Sequence, residues 1–244
     1  MISTENLCKT FGRLVALDQV NLNLSTGKSY ALVGPNGSGK TTLIKCILGM
    51  VKPSTGQILF KGKDISSEWK YREDIGFMPQ IGKYPENMRI GELVEMMKTI
   101  RKDVKAVDEE LIEAFKLYKI YDKKMHTLSG GTRQKVSASL AFLFHAPVMI
   151  LDEPTAGLDP VSVEILKEKI IYERRIGKLM IISSHILSDL DELTTEMIYI
   201  FEGKVQYNNS IDSLKRETNE TRLNKAVTTL IKQKELLASI SEQK

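Results

Sequence analysis

A glycine-rich segment constrains the fold of this chain more than any other feature of its sequence. The apolar residues 30–33 have the length of a buried strand, and residues 34–41, which follow at once, have the pattern GxxxxGK[ST]. Residues 42–48 continue in a helical pattern. Glycines let backbone N–H groups surround phosphate oxygens, and a helix N-terminus favours negative charge. The strand, loop and helix together predict a phosphate-binding loop in an α/β fold.

Two side chains of this loop have the chemistry that a nucleoside triphosphate requires. Lys40 can neutralise the β and γ phosphates, and Thr41 can offer its hydroxyl to Mg²⁺. The alternative interpretation, a glycine-rich turn without a ligand, is disfavoured because strand, loop and helix all fit. The candidate nucleotide ligands in this segment are Gly34, Pro35, Asn36, Gly37, Ser38, Gly39, Lys40, Thr41 and Thr42.

A pair of carboxylates follows a second buried-strand pattern. The apolar residues 148–151 end in Asp152 and Glu153, at the strand end where open parallel sheets place their ligands. Asp152 is suited to hold Mg²⁺, and Glu153 to polarise the water that attacks the γ-phosphate. Taken alone, such a pair is more often a loop or helix-cap feature. Beside a phosphate-binding loop, we interpret it as the second half of a catalytic site.

Strand-like and helix-like segments alternate through most of the chain, which predicts an α/β fold with a largely parallel central sheet. Residues 14–24 and 57–62 alternate apolar and polar, as expected of a small antiparallel sheet. Residues 86–145 show helical spacing and predict a helical insertion. Residues 1–208 are expected to form one domain and residues 209–244 a C-terminal helical appendage, for which packing on the core is favoured over a docking role.

Composition excludes several classes of protein. The chain has 244 residues, of which 42% are hydrophobic and 27% charged, as in water-soluble globular proteins. It contains no apolar run of membrane-spanning length and no secretory leader pattern, so a cytoplasmic location is expected. Cys8 and Cys46 are interpreted as reduced thiols. Most of the net charge of +4 falls after residue 202, so no nucleic-acid surface is predicted.

Residues 128–135, Leu-Ser-Gly-Gly-Thr-Arg-Gln-Lys, resemble the signature motif of ATP-binding cassette (ABC) proteins. Gln80 resembles the Q-loop glutamine of that family, Asp159 the aspartate of its D-loop, and His185 its switch histidine. All occur in family order over about residues 1–208. The resemblance implies a P-loop NTPase (RecA-like) core with an N-terminal antiparallel β subdomain and a helical signature subdomain.

The resemblance also implies that two cassettes pair head to tail. Ser129, Gly130 and Gly131 would then complete the nucleotide site of the partner cassette, and Asp159 would act across the interface. His185 would contact the γ-phosphate and steady Glu153. Without the other motifs, the Ser-Gly-Gly segment and the aspartate are ordinary helix caps.

Two further roles come from the family. Gln80 would reach Mg²⁺ and the attacking water, and residues 81–88 after it would face a membrane-embedded partner. Phe11 stands where the family places an aromatic ring that stacks on adenine, with burial in the N-terminal sheet as the alternative. Thr132 departs from the usual glutamine of the signature. In this departure and in its short single cassette, the chain most resembles the ATPases of ABC-2 type exporters, including those that serve copper-enzyme and nitrous oxide reductase maturation.

The sequence therefore predicts an ATPase that uses ATP and Mg²⁺ to energise an ABC transporter. Its catalytic set would be Lys40, Gln80, Glu153 and His185, with Asp152 on the metal. The expected partners are integral membrane permease subunits and a second copy or paired ATPase domain, on the inner face of the cell membrane. A soluble ATPase of iron–sulfur or copper site assembly stays an alternative. A cassette that binds nucleotide without hydrolysis is disfavoured because the catalytic set is complete.

Overall fold

This computed structural model describes residues 1–104 and 106–241, which contain ten strands and eight α-helices. The strands are β1 (Ile2–Phe11), β2 (Leu14–Leu24), β3 (Ser29–Val33), β4 (Thr55–Phe60), β5 (Lys63–Asp64), β6 (Ile75–Met78), β7 (Val148–Asp152), β8 (Leu179–Ser183), β9 (Glu196–Phe201) and β10 (Lys204–Ser210). The helices are α1 (Lys40–Ile47), α2 (Ile90–Ile100), α3 (Glu110–Ala114), α4 (Gly130–Phe142), α5 (Pro160–Arg175), α6 (Leu187–Leu193), α7 (Ile211–Thr218) and α8 (Leu223–Ser241).

A six-stranded sheet forms the centre of the molecule, with the strand order β10-β9-β3-β8-β7-β6. All neighbouring strands in it are parallel except β9 and β10. Every residue of β3 is buried, and its side chains alternate between two hydrophobic clusters: Ala31 and Val33 join one, Tyr30 and Leu32 the other. Since both faces of the sheet are covered, its inner strands are apolar throughout. The prediction of an α/β fold with a largely parallel sheet is confirmed.

A four-stranded antiparallel sheet, ordered β2-β1-β4-β5, packs over one face of the central sheet together with α1. The sequence indicated its strands β2 and β4 but not β1. The pairing of β1 with β2 shifts register between Thr4 and Leu7, and Asn6 there has φ 45°. This irregularity breaks the period-two pattern of buried residues by which a strand is recognised.

The helical segment between β6 and β7 contains α2, α3 and α4, as its spacing predicted. Helix α4 is buried on two sides. Val136 and Leu140 join the cluster of the helical segment, whereas Ala138 and Phe142 join the cluster against the central sheet. Helix α4 therefore links the helical segment mechanically to the sheet that carries the site.

After β10 the chain continues in α7 and α8. Ser210 caps α7 by accepting a hydrogen bond from the Ser213 backbone N–H at 3.1 Å. Leu214 and Val227 are buried in the same cluster as β7 and β8, so both helices extend the main core. The division of the chain at residues 208 and 209 stays a prediction. Over the described ranges, none of the helices combines the length and the apolar character that crossing a bilayer requires.

Candidate nucleotide-binding site

The glycine-rich loop lies between the end of β3 and the start of α1, as the sequence predicted. Gly34, Gly37 and Gly39 all have positive φ, which is 110° at Gly39. A Cβ atom at Gly39 would lie 2.5 Å from the backbone oxygen of Ala16 on β2. Only glycine fits this position, since both the backbone conformation and the neighbouring strand exclude a side chain. The loop is therefore a fixed cradle of backbone N–H groups ahead of a helix N-terminus.

Lys40 is the first residue of α1, and its ammonium group is held against the loop. Its Nζ donates hydrogen bonds to the backbone oxygens of Gly34 at 2.6 Å and Pro35 at 3.0 Å. Burial lowers the pKa of Lys40 from its ordinary value, and the carboxylates of Glu153 and Asp152 act in the opposite direction. The positive charge of the loop thus interacts with Glu153, the predicted catalytic carboxylate, and with Asp152, the predicted metal ligand.

Asp152 is the last residue of β7 and pairs in register with Ser183 of β8. The Ser183 hydroxyl donates to Asp152 Oδ1 at 2.5 Å, and the Glu153 backbone N–H donates to the Ser183 carbonyl at 3.1 Å. Both carboxylate residues are buried, and Glu153 has φ 53°. Non-glycine residues rarely adopt this conformation, and where they do the surrounding structure holds them in it. Such strain is common at functional sites.

His185 follows β8 and contacts the carboxylate of Glu153 twice. Its Nε2 lies 3.3 Å from Glu153 Oε1, and its backbone N–H donates to Glu153 Oε2 at 3.1 Å. The Glu153 side chain is only 9% exposed, whereas that of His185 is 54% exposed. The Glu153 carboxylate is therefore oriented by the His185 backbone N–H and contacted by the His185 imidazole, which solvent or a ligand can reach.

These residues surround one cavity of about 300 Å³. The predicted residues that line it are Phe11, Asn36, Gly37, Ser38, Gly39, Lys40, Thr41, Thr42, Gln80, Asp152, Glu153 and His185. Of the predicted loop residues, Gly34 and Pro35 lie just behind the lining, where they accept the hydrogen bonds from Lys40. A larger cavity of about 450 Å³ lies beside Trp69 and contains none of the predicted residues. The chemistry, and not the size, identifies the smaller cavity as the candidate site.

Phe11 is at the end of β1 and at the edge of this cavity. Its side chain is exposed, so the alternative expectation that it is buried in the N-terminal sheet is wrong. The Lys9 ammonium lies 4.8 Å from the centre of its ring. Leu14 and Ala16, which the sequence did not indicate, add apolar surface beside it. An exposed ring and small apolar side chains beside a phosphate cradle form a surface on which a base can stack.

Besides Gly34 and Pro35, four predicted residues do not line the cavity: Ser129, Gly130, Gly131 and Asp159. Ser129 caps α4 by accepting a hydrogen bond from the Thr132 backbone N–H at 3.3 Å. Asp159 caps α5 and forms an ion pair with Lys135 of α4 at 2.7 Å. Both cap interpretations are thus realised in the fold. Within this chain the signature segment does not reach the nucleotide cavity.

Two residues that support the site were not assigned a role from the sequence. Ser183 binds Asp152 and Glu153 as described above. Gln134 of α4 is buried and donates to the backbone oxygen of Glu153 at 3.4 Å. Ser183 directly follows the apolar residues 179–182, as Asp152 follows 148–151, and this position was a usable signal. Gln134 gave none, because its role depends on how α4 packs.

A glycine-rich cradle before a helix, with carboxylates at the end of a parallel strand, defines the class of P-loop NTPases. The ABC transporter family pattern matches residues 17–156. The lantibiotic transport ATP-binding protein SrtF of Streptococcus pyogenes is 32% identical over 207 residues, which cover 84% of this chain and 89% of that protein. The bacitracin transport ATP-binding protein BcrA of Bacillus licheniformis is 32% identical over 225 residues, which cover 90% of this chain and 73% of that protein.

Solved structures agree with these relatives. A dimeric ATP-binding cassette in a post-hydrolysis state, bound to ADP and Pi, superimposes with a TM-score of 0.75. It is 26% identical, and the match covers 86% of this chain and 98% of that one. The chain belongs to the ABC transporter family, as one of its ATP-binding cassettes. The fold predicted from the motifs is thereby confirmed.

Proposed function

We propose that the chain hydrolyses ATP as the nucleotide-binding subunit of an ABC exporter. The observation that carries this proposal is the division of its motifs. The phosphate loop, Gln80, Asp152, Glu153 and His185 meet in one cavity, whereas Ser129 lies outside it. One chain thus supplies the catalytic groups of a nucleotide site and, on a separate surface, the signature segment for another.

The contacts suggest a role for each group. The loop amides and Lys40 bind the β and γ phosphates of ATP, and Phe11 stacks on the adenine. Glu153 accepts a hydrogen bond from a water molecule and draws its proton as the water oxygen attacks the γ phosphorus. The bond to the β-phosphate oxygen breaks, and ADP and phosphate are released. His185 holds Glu153 in position and donates to the γ-phosphate.

Three oxygen-bearing side chains that line the cavity fit Mg²⁺. Thr41, Gln80 and Asp152 offer a hydroxyl, an amide oxygen and a carboxylate, which are the ligands that this hard cation prefers. Among the described residues, no group of three or more His, Cys, Asp or Glu is arranged to hold a metal. When bound, the ion neutralises charge that develops on the phosphate oxygens.

A second cassette completes each site. Ser129 and the amides of Gly130 and Gly131 form a helix N-terminus outside the lining of this chain's own cavity, which suits the γ-phosphate of a partner's ATP. The related cassette bound to ADP and Pi is dimeric. We therefore expect a homodimer or a pair with another ATPase domain, which closes on two MgATP and reopens after hydrolysis. Asp159 lies beside this surface and acts at the interface.

The relatives indicate the process that hydrolysis drives. SrtF and BcrA are named for transport of a lantibiotic and of bacitracin, and neither name concerns copper. We infer an export role with integral membrane permease subunits, with the cassette on the cytoplasmic face of the membrane and residues 81–88 toward the permease. Copper-enzyme maturation stays a prediction from sequence resemblance.

Replacement of Glu153 by Gln tests the hydrolytic role. We expect Glu153→Gln to bind ATP as the wild type does, to lose hydrolysis by a factor of about 100 or more, and to accumulate as an ATP-bound dimer. Phosphate release and light scattering after size exclusion measure the two effects. Glu168→Gln removes the same charge from an exposed position on α5 and serves as the control. Turnover of Glu153→Gln near that of the control would contradict the assignment.

Purification from native membranes in mild detergent with MgATP tests the transport role. We expect the tagged chain to bring with it an integral membrane protein with several spans. A stoichiometric soluble partner without any membrane protein would replace the exporter by an assembly ATPase. The ATPase assignment itself does not depend on this outcome, because it rests on the cavity.

A further inference from the structure

A chain of three polar side chains lies behind the candidate catalytic pair. Thr155 is two residues after Glu153 and is buried. Its hydroxyl donates to Asp189 Oδ2 at 3.0 Å. Asp189 lies on α6, four residues after His185, and its other oxygen, Oδ1, is 3.0 Å from Lys167 Nζ. One oxygen of the Asp189 carboxylate thus connects the helix that follows His185 to the loop that carries Glu153, and the other oxygen connects this helix to α5.

The Glu153–His185 contact needs support from outside its own two segments. Glu153 has a left-handed backbone that a non-glycine residue does not adopt by preference. His185 precedes α6, a helix of 7 residues whose N-cap, Ile186, makes no side-chain cap hydrogen bond. So short a helix has little stability of its own and takes its position from tertiary contacts. The distance between imidazole and carboxylate therefore depends on how α6 is fixed to the loop.

Lys167 of α5 supplies a rigid anchor for this connection. Its side chain is 12% exposed, and Nζ also lies 3.1 Å from Glu192 Oε2, a second residue of α6. Burial lowers the pKa of Lys167, but the hydrogen bonds and charges of Asp189 and Glu192 outweigh it and raise the pKa overall. The ammonium therefore stays charged, and α5, a helix of 16 residues, holds α6 at two points.

We propose that Thr155, Asp189 and Lys167 are positioning residues that hold His185 against Glu153 for hydrolysis. All three lie outside the lining of the nucleotide cavity, so they act through the catalytic pair and not on ATP. This inference rests on the proposed function, in which Glu153 and His185 act on the attacking water and the γ-phosphate. Loss of the contacts among these three side chains displaces Glu153 and His185 without changing the surface that binds nucleotide.

The test uses the full chain and two variants that change few atoms. Thr155→Val removes the hydroxyl at nearly constant volume, and Asp189→Asn removes the charge that pairs with Lys167. We expect each to lower kcat by roughly 10–100-fold, since small displacements of reacting groups have effects of this size. KM and ATP affinity stay within about twofold of the wild type, since the binding surface is unchanged. Thr155→Ser, unlike Thr155→Val, keeps the hydroxyl, so we expect it to retain most of the wild-type kcat.

Asp191 offers a matched control on the same helix. Its carboxylate also binds one lysine and one further donor, Lys215 Nζ at 2.5 Å and the Leu223 backbone N–H at 3.1 Å, but it connects α6 to the C-terminal helices. We expect Asp191→Asn to lower the melting temperature and to leave kcat within about twofold, because the Glu153 loop is untouched.

The outcomes separate the two proposals. A wild-type chain that binds ATP and releases no phosphate overturns the proposed function, and this inference falls with it. An active wild type whose Thr155→Val and Asp189→Asn variants keep kcat overturns the inference alone. Equal losses of kcat in Asp189→Asn and Asp191→Asn also overturn it, because α6 would then matter only as folded structure. If Asp189→Asn does not fold, Thr155→Val and its serine rescue decide.

Discussion

Helices α1 and α4 both begin at glycine-containing segments, but their surroundings differ. At α1 the cap position is Gly39, without a side-chain cap, and the loop before it is enclosed by β2 and by backbone near the end of β9. At α4 the cap is Ser129, which bonds to its own helix, and a Cβ atom at Gly130 would meet nothing within 4 Å. The loop before α1 is thus enclosed by other parts of this chain, whereas Gly130 at the start of α4 is not covered.

The difference concerns how a site is shared. Close approach of backbone to backbone makes the loop before α1 rigid and places it inside a cavity with acids on the opposite wall. In the segment before α4, the Ser129 hydroxyl accepts a hydrogen bond from the Thr132 backbone N–H, and Gly130 is uncovered. Gly131 alone is tight, with its Cβ position 2.7 Å from the Gly157 oxygen. An exposed helix N-terminus with an uncovered glycine is what a surface needs in order to bind the phosphate of a partner's ligand.

The largest effect that this comparison predicts comes from mixing two inactive variants. Lys40→Ala removes the charge from the enclosed loop, so ATP affinity falls by roughly 10–100-fold and hydrolysis is lost. Ser129→Asp keeps a residue that caps helices well but sets a negative charge toward the γ-phosphate, so hydrolysis is lost while ATP binding to the isolated chain is kept. An equimolar mixture regains about a quarter of wild-type hydrolysis, since random pairing gives half of the dimers one intact site.

Phosphate release by each variant and by the mixture measures this complementation. The control is an equimolar mixture of the Lys40→Ala chain and a chain that carries both Lys40→Ala and Ser129→Asp. No dimer of these chains contains an intact site. A mixture that stays as inactive as this control would remove the distinction between the enclosed and the open segment.

Alanine at one glycine of each segment gives an intermediate effect. Gly39→Ala meets both a φ of 110° and the Ala16 oxygen, so we expect the free energy of unfolding to fall by about 1–3 kcal/mol. Gly130→Ala has open space at the start of a helix and changes stability by at most about 1 kcal/mol, in the stabilising direction. Urea denaturation measures both. Equal destabilisation would show that the two segments are equally enclosed.

Alkaline pH gives the smallest effect. Phosphate binds the protonated form of Lys40, and burial lowers the pKa of this lysine below its ordinary value of 10.5. ATP affinity of the isolated chain is therefore constant near neutral pH and falls as pH rises toward that lowered pKa, earlier than for an exposed lysine. Calorimetric titration of ATP between about pH 7 and 9.5 measures the change, which we expect to stay below about tenfold. In Lys40→Ala the residual affinity loses this dependence.

Much of the site could be predicted because its chemistry depends on short segments. Lys40 and Thr41 are identified by a local pattern, and Asp152 and Glu153 by their place after an apolar strand. The supports of the site gave no such pattern. Thr155, Asp189 and Lys167 are far apart in sequence, and each resembles an ordinary surface or helix residue until the helices are packed.

The sequence by itself determined the alternation of strands and helices through most of the chain, the phosphate loop and the position of the carboxylates, because hydrophobic period and glycine placement act over a few residues. Only the tertiary structure decided that Phe11 is exposed at the cavity, that β1 has an irregular register, and that Ser129 lies outside the cavity that Lys40 lines. These outcomes depend on how α4 and the antiparallel sheet pack on the central sheet. Packing is the sum of many weak contacts between distant residues, so no local pattern encodes it.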